Sequence, residues 1–303
     1  MKICFVITND PKNIGGTGAV VSNLMKYTNS SLVYARGPSI VKNILCPFAT
    51  AVRIVIRKKD IVHAHDHQAF VYALFPKALR KKIVFTMHGM WKTYFKAMNE
   101  HGIKAKFLEF LQKIMIKRSD HIIAVSNFVK DNLIKYYNIP SEKITVIHNG
   151  VDLNKFKPAG KHDRNTYIWV GTNPKLKMLD EAITYCRKKK KKLLVVGIDG
   201  ENTSNVKYLG AVANDKMPEI YNKASFLVFF SRVEGHPLVP LEAMACGLGI
   251  IANKTSNIEI IPQKKDGSYK ISGKKALKII KKYDWKNVAK KYMEVYKKVM
   301  KMK

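Results

Sequence analysis

The sequence predicts an α/β protein built from two doubly wound, Rossmann-like domains that face a central cleft. Short runs of Val, Ile, Leu and Phe alternate with amphipathic stretches, the pattern of parallel sheets covered by helices on both faces. The alternation occurs twice, on either side of a polar stretch at 149–167 that contains Pro158 and Gly160. The chain has 303 residues, enough for two domains of ordinary size.

The apolar runs predict the strands in order. In the first half, strands are expected at 2–8, 31–37, 60–66, 82–89, 120–126 and 143–150. In the second half, they are expected at 166–171, 192–198, 206–210, 225–231 and 248–253. Between them, stretches such as 104–117 and 215–224 have the apolar spacing of helices.

Three segments follow from this reading. We expect an N-terminal domain at 1–155, a second domain at 156–283, and a C-terminal helix at 284–303 that packs back on the N-terminal domain. Asp284 is placed to cap this helix. Its apolar positions recur at helical spacing and are Trp285, Val288, Ala289, Tyr292, Tyr296 and Val299.

The chain is strongly basic, with 55 Lys and Arg against 22 Asp and Glu and a formal net charge of +33. Both halves share the excess, so it is not a separate binding tail. Nucleic acid, anionic lipid and phosphorylated substrates are the candidate partners. A generally basic proteome explains the excess equally well.

The four cysteines are scattered without a CxxC pair, as is usual in a reduced, cytoplasmic protein. The N-terminal apolar run is too short for a signal peptide, and no run is long enough to span a bilayer. Membrane contact is therefore expected to be peripheral. Its expected carriers are a basic helix at 104–118 and the lysine-rich C-terminus.

The segment 225–252, SFLVFFSRVEGHPLVPLEAMACGLGIIA, carries the strongest functional signal. A buried strand is followed by a short loop with Glu234 and by a helix from about Leu238 to Cys246 that contains Glu242. Pro237 is expected in the first helical turn. Ligands of open α/β sheets bind at the carboxyl ends of the strands, where free N–H groups of a helix attract phosphate. Glu242 can accept hydrogen bonds from two ribose hydroxyls.

The order of motifs along the chain resembles a known family. The Glu234 to Glu242 spacing resembles the E-x7-E motif of family 4 retaining glycosyltransferases, which have the GT-B fold. Segments in the same order as in the family are NIGGTGAVVSNL (13–24), DIVHAHD (60–66), TMHG (86–89), SDHIIAVSNFVKDNL (119–133) and KITVIHNGVDLNKFKP (143–158). The resemblance covers almost the whole chain.

The resemblance implies two groups of site residues. His88 would lie beside the reacting sugar, and Glu234 would face the hydroxyls of the donor sugar. The expected donor-binding residues are Gly15, Gly16, Lys177, Gly235, His236, Pro237, Leu238 and Glu242. Among these, the two early glycines would let the main chain approach the donor diphosphate.

One position departs from the family pattern. Thr172 stands where the family usually has an Arg after the glycine of the second domain's first strand. The leaving diphosphate therefore loses one fixed cation. Lys175 or Lys177 is expected to compensate, although Lys lacks the bidentate fork of Arg.

The expected function is transfer of a hexosyl group from a nucleotide-sugar to a glycan, lipid-linked or other acceptor. The resemblance implies retention at the anomeric carbon, no metal and no further cofactor. Two alternatives stay open, namely a binding protein of this fold without turnover, which Thr172 favours, and a transferase that acts on nucleic acid.

Two other patterns in the sequence are weaker indications of function. The HAHDH run at 63–67 places His63 and His65 on one face of a strand, with His67 beside them, as in some metal sites, but no further ligands accompany it. Near the start of the chain, Val21 stands where a dinucleotide-binding fingerprint needs its third glycine. A hydride-transfer enzyme is therefore disfavoured.

Overall fold

A computed structural model describes residues 1–8, 10, 16–35, 45–57 and 59–302. The chain forms two compact units. The first unit comprises Met1–Asn149 together with Trp285–Lys303, and the second comprises Gly150–Asp284. The divisions lie after Asn149 and Asp284, whereas the sequence placed them after 155 and 283.

The first unit is built on a six-stranded, all-parallel sheet with the order β2-β1-β3-β4-β5-β6. Its strands are β1 Ile3–Ile7, β2 Ser30–Tyr34, β3 Ile61–Ala64, β4 Lys82–Met87, β5 His121–Ala124 and β6 Ile144–Val146. Almost every residue of β1, β3, β4 and β5 is buried, as expected for a sheet covered on both faces. All six strands predicted for this half are confirmed.

Helices lie on both faces of this sheet. They are α1 Gly16–Met25, α2 Cys46–Ile56, α3 Phe70–Leu74, α4 Trp91–Met98, α5 Ile103–Arg118 and α6 Asn127–Tyr137. The chain moves one way along the sheet from β1 to β2 and the other way in every later crossover. Because crossovers between parallel strands are right-handed, α1 lies on one face, and α2, α3, α5 and α6 lie on the other.

The C-terminal helix, α11 Trp285–Lys301, belongs to the first unit and contacts α1 and β4. All six apolar positions predicted for it are buried, and so is Val295. The apolar face of α11 is thus used within the unit. Its lysines remain outside, so this helix lacks the exposed apolar face that binding to a bilayer surface requires.

The second unit has a six-stranded sheet with the order β12-β11-β10-β7-β8-β9. Its strands are β7 Asp163–Val170, β8 Lys192–Val196, β9 Val206–Tyr208, β10 Ala224–Phe229, β11 Gly249–Ala252 and β12 Tyr269–Ile271. The five predicted strands are confirmed and parallel. β12 was not predicted from the sequence; it is an antiparallel edge strand of three residues whose central Lys270 is exposed.

The helices of this unit are α7 Leu179–Lys188, α8 Met217–Tyr221, α9 Leu238–Ala245 and α10 Gly273–Ile280. One apolar core packs α8, α9 and α10 against the sheet, and a second packs α7 against it. Short 3-10 turns lie at His67–Ala69, Lys77–Leu79, Ser141–Lys143, Lys254–Ser256 and Lys281–Tyr283.

Two local expectations were wrong. His67 does not continue a strand, because β3 ends at Ala64 and His67 begins a 3-10 turn. Pro237 precedes α9 in an extended conformation instead of forming its first turn.

Among the described residues, no helix has both the length and the apolar character needed to cross a bilayer.

Candidate active site

The loop that follows β10 holds Glu234 from two sides. The fully buried Ser231 donates a hydrogen bond from Oγ to Glu234 Oε1 at 2.7 Å. Lys177 Nζ forms an ion pair with the same oxygen. Both side chains of the pair are largely buried, so Glu234 is a fixed carboxylate at the carboxyl end of a parallel strand.

Asparagine side chains hold this loop in place. Asn253 accepts from the main-chain N–H of Ser231 at 3.1 Å and donates to its carbonyl at 3.1 Å. Asn257 donates to the carbonyl of Glu234 at 3.1 Å. These bonds fix the main chain at Ser231 and at Glu234 itself. The loop therefore holds the Glu234 carboxylate in one position.

Lys177 lies in the loop that follows β7, which is attached to the Glu234 loop. The indole N–H of Trp169 donates to the Lys177 carbonyl at 2.9 Å. The carbonyl of Leu176 accepts from the main-chain N–H of Arg232 at 2.9 Å. The Lys177 ammonium also lies 4.9 Å from the centre of the Phe229 ring. The two loops therefore hold a cation and a carboxylate together.

The position of the missing arginine has other cations nearby in the chain. Thr172 and Lys175 are both exposed. Arg232, which the sequence analysis did not consider, donates from Nε to the carbonyl of Lys175 at 3.0 Å. Lys175 and Arg232 thus flank the loop in which Thr172 replaces the expected Arg.

Glu242 lies in α9, within the second unit's core layer. Its Oε2 accepts a hydrogen bond of 2.9 Å from the hydroxyl of Tyr221, a fully buried residue of α8. Burial raises the pKa of the Glu242 carboxyl to about 7, against the lowering effects of the Tyr221 hydrogen bond and Lys155. Glu242 is therefore close to the midpoint of its titration at neutral pH.

The start of α9 presents main-chain donors. Pro237 stands before the first helical residue with φ −71° and ψ 140°, and its own side chain offers no capping acceptor. Leu238 and Val239 carry first-turn N–H groups that have no partner within the helix, while Pro240 has no N–H. His236, next to this end, is buried. With Gly235, these residues form the short connection between the Glu234 loop and α9.

Of the two early glycines, Gly15 and Gly16, the structure describes only the second. Gly15 lies outside the described residues. Gly16 begins α1, and a Cβ at this position would meet no atom of the described residues within 4 Å. Packing against the described part of the chain therefore does not require glycine at 16.

In the first unit, His88 pairs with a second histidine. His88 follows β4, and His65 follows the neighbouring β3. Their nitrogens, Nδ1 of His65 and Nε2 of His88, are 2.9 Å apart. Burial lowers the pKa of His88 to about 4 and lowers that of His65 well below its usual value, an effect to which His63 and His88 add. Both rings are therefore neutral at pH 7.

His63 has its partners inside the sheet and helix core. Its Nδ1 lies 2.7 Å from the hydroxyl of Tyr296, and its Nε2 lies 2.7 Å from the hydroxyl of Thr86. Its ring centre is 4.2 Å from that of His65. Both nitrogens of His63 are thus occupied by hydroxyl groups. Across the described part of the chain, no group of three or more His, Cys, Asp or Glu is arranged to hold a metal ion.

Comparison with protein families covers both units. Residues 15–155 match the family model described as "Glycosyltransferase Family 4", and residues 164–286 match the model described as "Glycosyl transferases group 1". The chain belongs to glycosyltransferase family 4. The resemblance seen in the ordered motifs is confirmed by these two matches, which together span most of the chain.

Two relatives align with only part of this chain and with part of their own length. The O-antigen chain mannosyltransferase RfbU of Salmonella typhimurium is 30% identical over 195 residues, which cover 58% of this chain and 53% of that protein. An Escherichia coli UDP-Gal:alpha-D-GlcNAc-diphosphoundecaprenol alpha-1,3-galactosyltransferase is 27% identical over 268 residues, which cover 77% of this chain and 67% of that protein. The chain thus spans about half of the mannosyltransferase and two thirds of the galactosyltransferase.

A solved structure confirms the fold class. Sucrose-phosphate synthase from Thermosynechococcus elongatus superposes with a TM-score of 0.80 at 14% identity, over 98% of both chains. At this identity the likeness concerns the fold alone. Two Rossmann-like α/β units, the GT-B architecture predicted from the sequence, are therefore shown for this family 4 member.

Besides Arg232 and the residues that hold the two loops, three residues of these sites were not predicted from the sequence. Ser231 was treated only as the end of a strand, and Tyr221 lies in a separate helix with no motif to mark it. His65 was noted only as part of a weak metal pattern. It could have been paired with His88, because the two residues lie near the carboxyl ends of strands that were both expected in one parallel sheet.

Proposed function

We propose that this protein transfers a sugar from a nucleotide-diphosphate sugar to a glycan or lipid-linked acceptor, with retention of the anomeric configuration. The observation that carries the proposal is the fixed Glu234–Lys177 pair at the carboxyl end of β10, directly before the helix that contains Glu242. Family membership supports the reaction class and the retention. The names of the two relatives support an acceptor carried on a glycan or a lipid diphosphate.

We assign the nucleotide to the Glu242 side of this arrangement. An ionised carboxyl can accept hydrogen bonds from both hydroxyls of a ribose, and Tyr221 holds one of its oxygens in place. The free N–H groups at the start of α9 suit a diphosphate, because the positive end of the helix dipole favours anions.

Charge develops on the diphosphate as the bond to the sugar breaks. Lys177 is a cation in a largely buried position, where electrostatic stabilisation is stronger than in water. Lys177 already pairs with Glu234, so its ammonium group must contact the diphosphate and the Glu234 carboxylate at the same time. Glu234 is then available to bind the hydroxyls of the donor sugar, a contact that raises the rate if it is stronger in the transition state.

His88 is assigned to the reacting sugar. At pH 7 it is a neutral imidazole, because burial lowers its pKa to about 4. A neutral ring can donate or accept a hydrogen bond without placing a charge beside the sugar. We further propose that the reaction needs no metal, since Lys177 and the amides of α9 supply positive charge for the leaving group.

The test uses the purified chain and a panel of nucleotide-diphosphate sugars. Thermal shift identifies the donor, because a ligand at a hundred times its dissociation constant adds about 2.7 kcal/mol of stability. Anomeric NMR of the product with a diphosphoundecaprenol-linked or glycan acceptor then determines retention. Inversion, or activity that chelator abolishes and manganese restores, would contradict the corresponding part of the proposal.

A second candidate is a binding protein without turnover, which Thr172 favours because it removes a fixed cation from the leaving group. The two candidates differ in slow donor hydrolysis without acceptor. The test compares the wild-type chain with Glu234→Ala. Hydrolysis that the substitution abolishes supports the enzyme, whereas nucleotide binding with no hydrolysis or transfer in either chain supports the binding protein.

A further inference from the structure

Large apolar side chains are exposed unevenly in this molecule. In the described part of the chain, every large apolar side chain that is exposed belongs to the first unit. Most of them lie between 45 and 134, on the helices that cover one face of the first sheet. Scattered apolar residues are normal on a protein surface, but a concentration on one helical layer marks an interaction site.

The first part of this surface is α2, Cys46–Ile56. Its inner face is buried through Thr50, Ala51 and Ile54. Its outer face is apolar as well, with side chains 58–72% exposed at spacings of three and four residues: Leu45, Phe48, Val52, Val55 and Ile56. A helix that is apolar on all sides is usually buried. The outer face of α2 therefore has the composition of a covered surface.

The second part is α5, Ile103–Arg118, which combines apolar and basic side chains. Ile103, Phe107 and Phe110 are 88%, 40% and 57% exposed, and they follow one another at helical spacing. Exposed lysines stand beside them at Lys104, Lys106, Lys113 and Lys117. This combination is typical of helices that lie in the interface of a membrane.

The two helices belong to one layer. α3, Phe70–Leu74, packs against both α2 and α5, and Leu74 between them is 52% exposed. Right-handed crossovers place all three helices on the same face of the sheet. We call the solvent side of α2, α3 and α5 the outer helical face.

The positive charge of the chain and of this face distinguishes between the possible partners, which are a second copy of the chain, nucleic acid and a lipid bilayer. A second copy of the chain would bring another +33 against it, which opposes self-association. α2 carries no acidic residue and exposes Arg53, and the exposed charges of α5 are lysines. Nucleic acid would match the charge and could stack on the exposed Phe rings, but it leaves the more numerous Leu, Val and Ile side chains without a partner, since these neither stack on bases nor bind phosphate.

From these observations we infer that the outer helical face docks on an anionic phospholipid bilayer, with its apolar side chains in the interface and its lysines among the headgroups. This inference goes beyond the transfer reaction, since lipid binding needs neither donor nor acceptor. It also corrects the expectation that the lysine-rich C-terminus contributes an apolar face, because the apolar side of α11 is buried.

The experiment is co-sedimentation of the 303-residue chain with two kinds of vesicle, one of phosphatidylglycerol and phosphatidylcholine, the other of phosphatidylcholine alone. We expect binding to the anionic vesicles and much weaker binding to the neutral ones. Salt at 1 M should weaken the anionic binding, because the Debye length falls to about 3 Å.

Paired substitutions locate the surface. Val52→Ser/Val55→Ser and Phe107→Ser/Phe110→Ser should each lower the partition coefficient on anionic vesicles at least about tenfold, since each pair removes two large apolar side chains. Tyr27→Ser is the matched control, because Tyr27 is 42% exposed but follows α1, on the opposite face of the sheet. All these positions are exposed, and thermal unfolding checks that the variants fold.

Four outcomes would overturn the inference: no binding to either vesicle at low salt, equal loss in the Tyr27→Ser control, unchanged binding in both paired variants, or concentration-dependent dimers that the paired variants abolish. Binding to an oligonucleotide but not to vesicles would replace the lipid with nucleic acid. Donor affinity measured on the same variants separates this inference from the proposed reaction. Wild-type chain that binds vesicles but no nucleotide would refute only the reaction.

Discussion

His65 and His88 are joined by a hydrogen bond of 2.9 Å between Nδ1 of His65 and Nε2 of His88. Nε2 of His65 is buried and has no hydrogen-bond partner among the described residues. A buried nitrogen lone pair without a partner is less costly than a buried N–H without one. His65 is therefore expected to carry its proton on Nδ1 and to donate it to His88, whose own proton is then on Nδ1.

This relationship predicts different results for two substitutions of His65. His65→Asn keeps a donor near the position of Nδ1, so it should retain most of the turnover. His65→Leu removes the donor and should lower kcat at least about tenfold, with a smaller change in nucleotide affinity. Nitrogen NMR of the wild-type imidazoles gives an independent check. A proton on Nε2 of His88 would contradict the expected tautomer, whatever the activity.

The raised pKa of Glu242 predicts pH-dependent donor binding. If the ribose hydroxyls require the carboxylate, donor affinity should fall as pH decreases below about 7, by up to about tenfold per pH unit. Glu242→Gln should weaken binding at pH 8 and flatten this dependence. Titration calorimetry from pH 6 to pH 8 measures both effects, and an unchanged pH profile in the variant would refute the assignment.

Titration of Glu242 should affect stability in the opposite direction to donor binding: affinity rises with pH, whereas the free energy of unfolding falls. Because the folded pKa of Glu242 exceeds its unfolded value, the group costs stability as pH rises from about 4.5 to about 7. Glu242→Gln should therefore raise the free energy of unfolding at pH 8 by about 1 kcal/mol or more in the absence of ligand. Urea unfolding at pH 5 and pH 8 is the measurement. An equal effect at both pH values would point to a cause other than titration.

Lys177 and Lys175 form a matched pair for mutation. Lys177 is largely buried against Glu234, whereas Lys175 is exposed. Lys177→Ala should weaken binding of the nucleotide diphosphate by about 1.5–3 kcal/mol, roughly 10- to 150-fold. Lys175→Ala, which also removes one positive charge, should change it by less than about fivefold at physiological salt. Equal losses in the two variants would show that only net charge matters.

Thr172 offers a test in the direction of gained function. Thr172→Arg restores a side chain with the planar fork that binds phosphate oxygens at two points. We expect it to raise kcat/KM for the donor several-fold, and Thr172→Gln, of similar length but neutral, to leave it unchanged. An unaltered rate in Thr172→Arg would mean that the existing cations already stabilise the leaving group.

The histidines of the first unit predict loss of stability in acid. Burial lowers the pKa of His88 and His121 to about 4 and lowers that of His63 well below its usual value. At His88 and His121 the unfolded chain takes up a proton near pH 6.5, whereas the folded chain does not until about pH 4, so stability decreases as pH falls through this window. These two groups each lower the free energy of unfolding by about 1–2 kcal/mol by pH 5, and His63 acts in the same direction. Urea unfolding at pH 7.5 and pH 5 checks this, and equal midpoints would contradict it.

The sequence predicted the sheet strands because each is a compact apolar run, and all eleven predicted strands are present. It missed β12, whose three residues include an exposed lysine. In the site, Glu234 and Glu242 were found because their spacing follows one strand and one helix. The Tyr221–Glu242 contact was not predictable, since it joins residues on two helices whose relative placement is decided by core packing.

The return of α11 to the first unit has a consequence for the order of synthesis. Val151 and Asp284 form a β-bridge, so the chain enters and leaves the second unit at adjacent points, and that unit is an insertion in the first. On the ribosome, β1 to β6 emerge before the second unit, but the helix that supplies Tyr292 and Tyr296 emerges after it. Until then, the part of one sheet face that α11 covers beside α1 stays open, and His63 lacks its Tyr296 partner. The first unit therefore cannot complete its fold until the whole second unit has been translated.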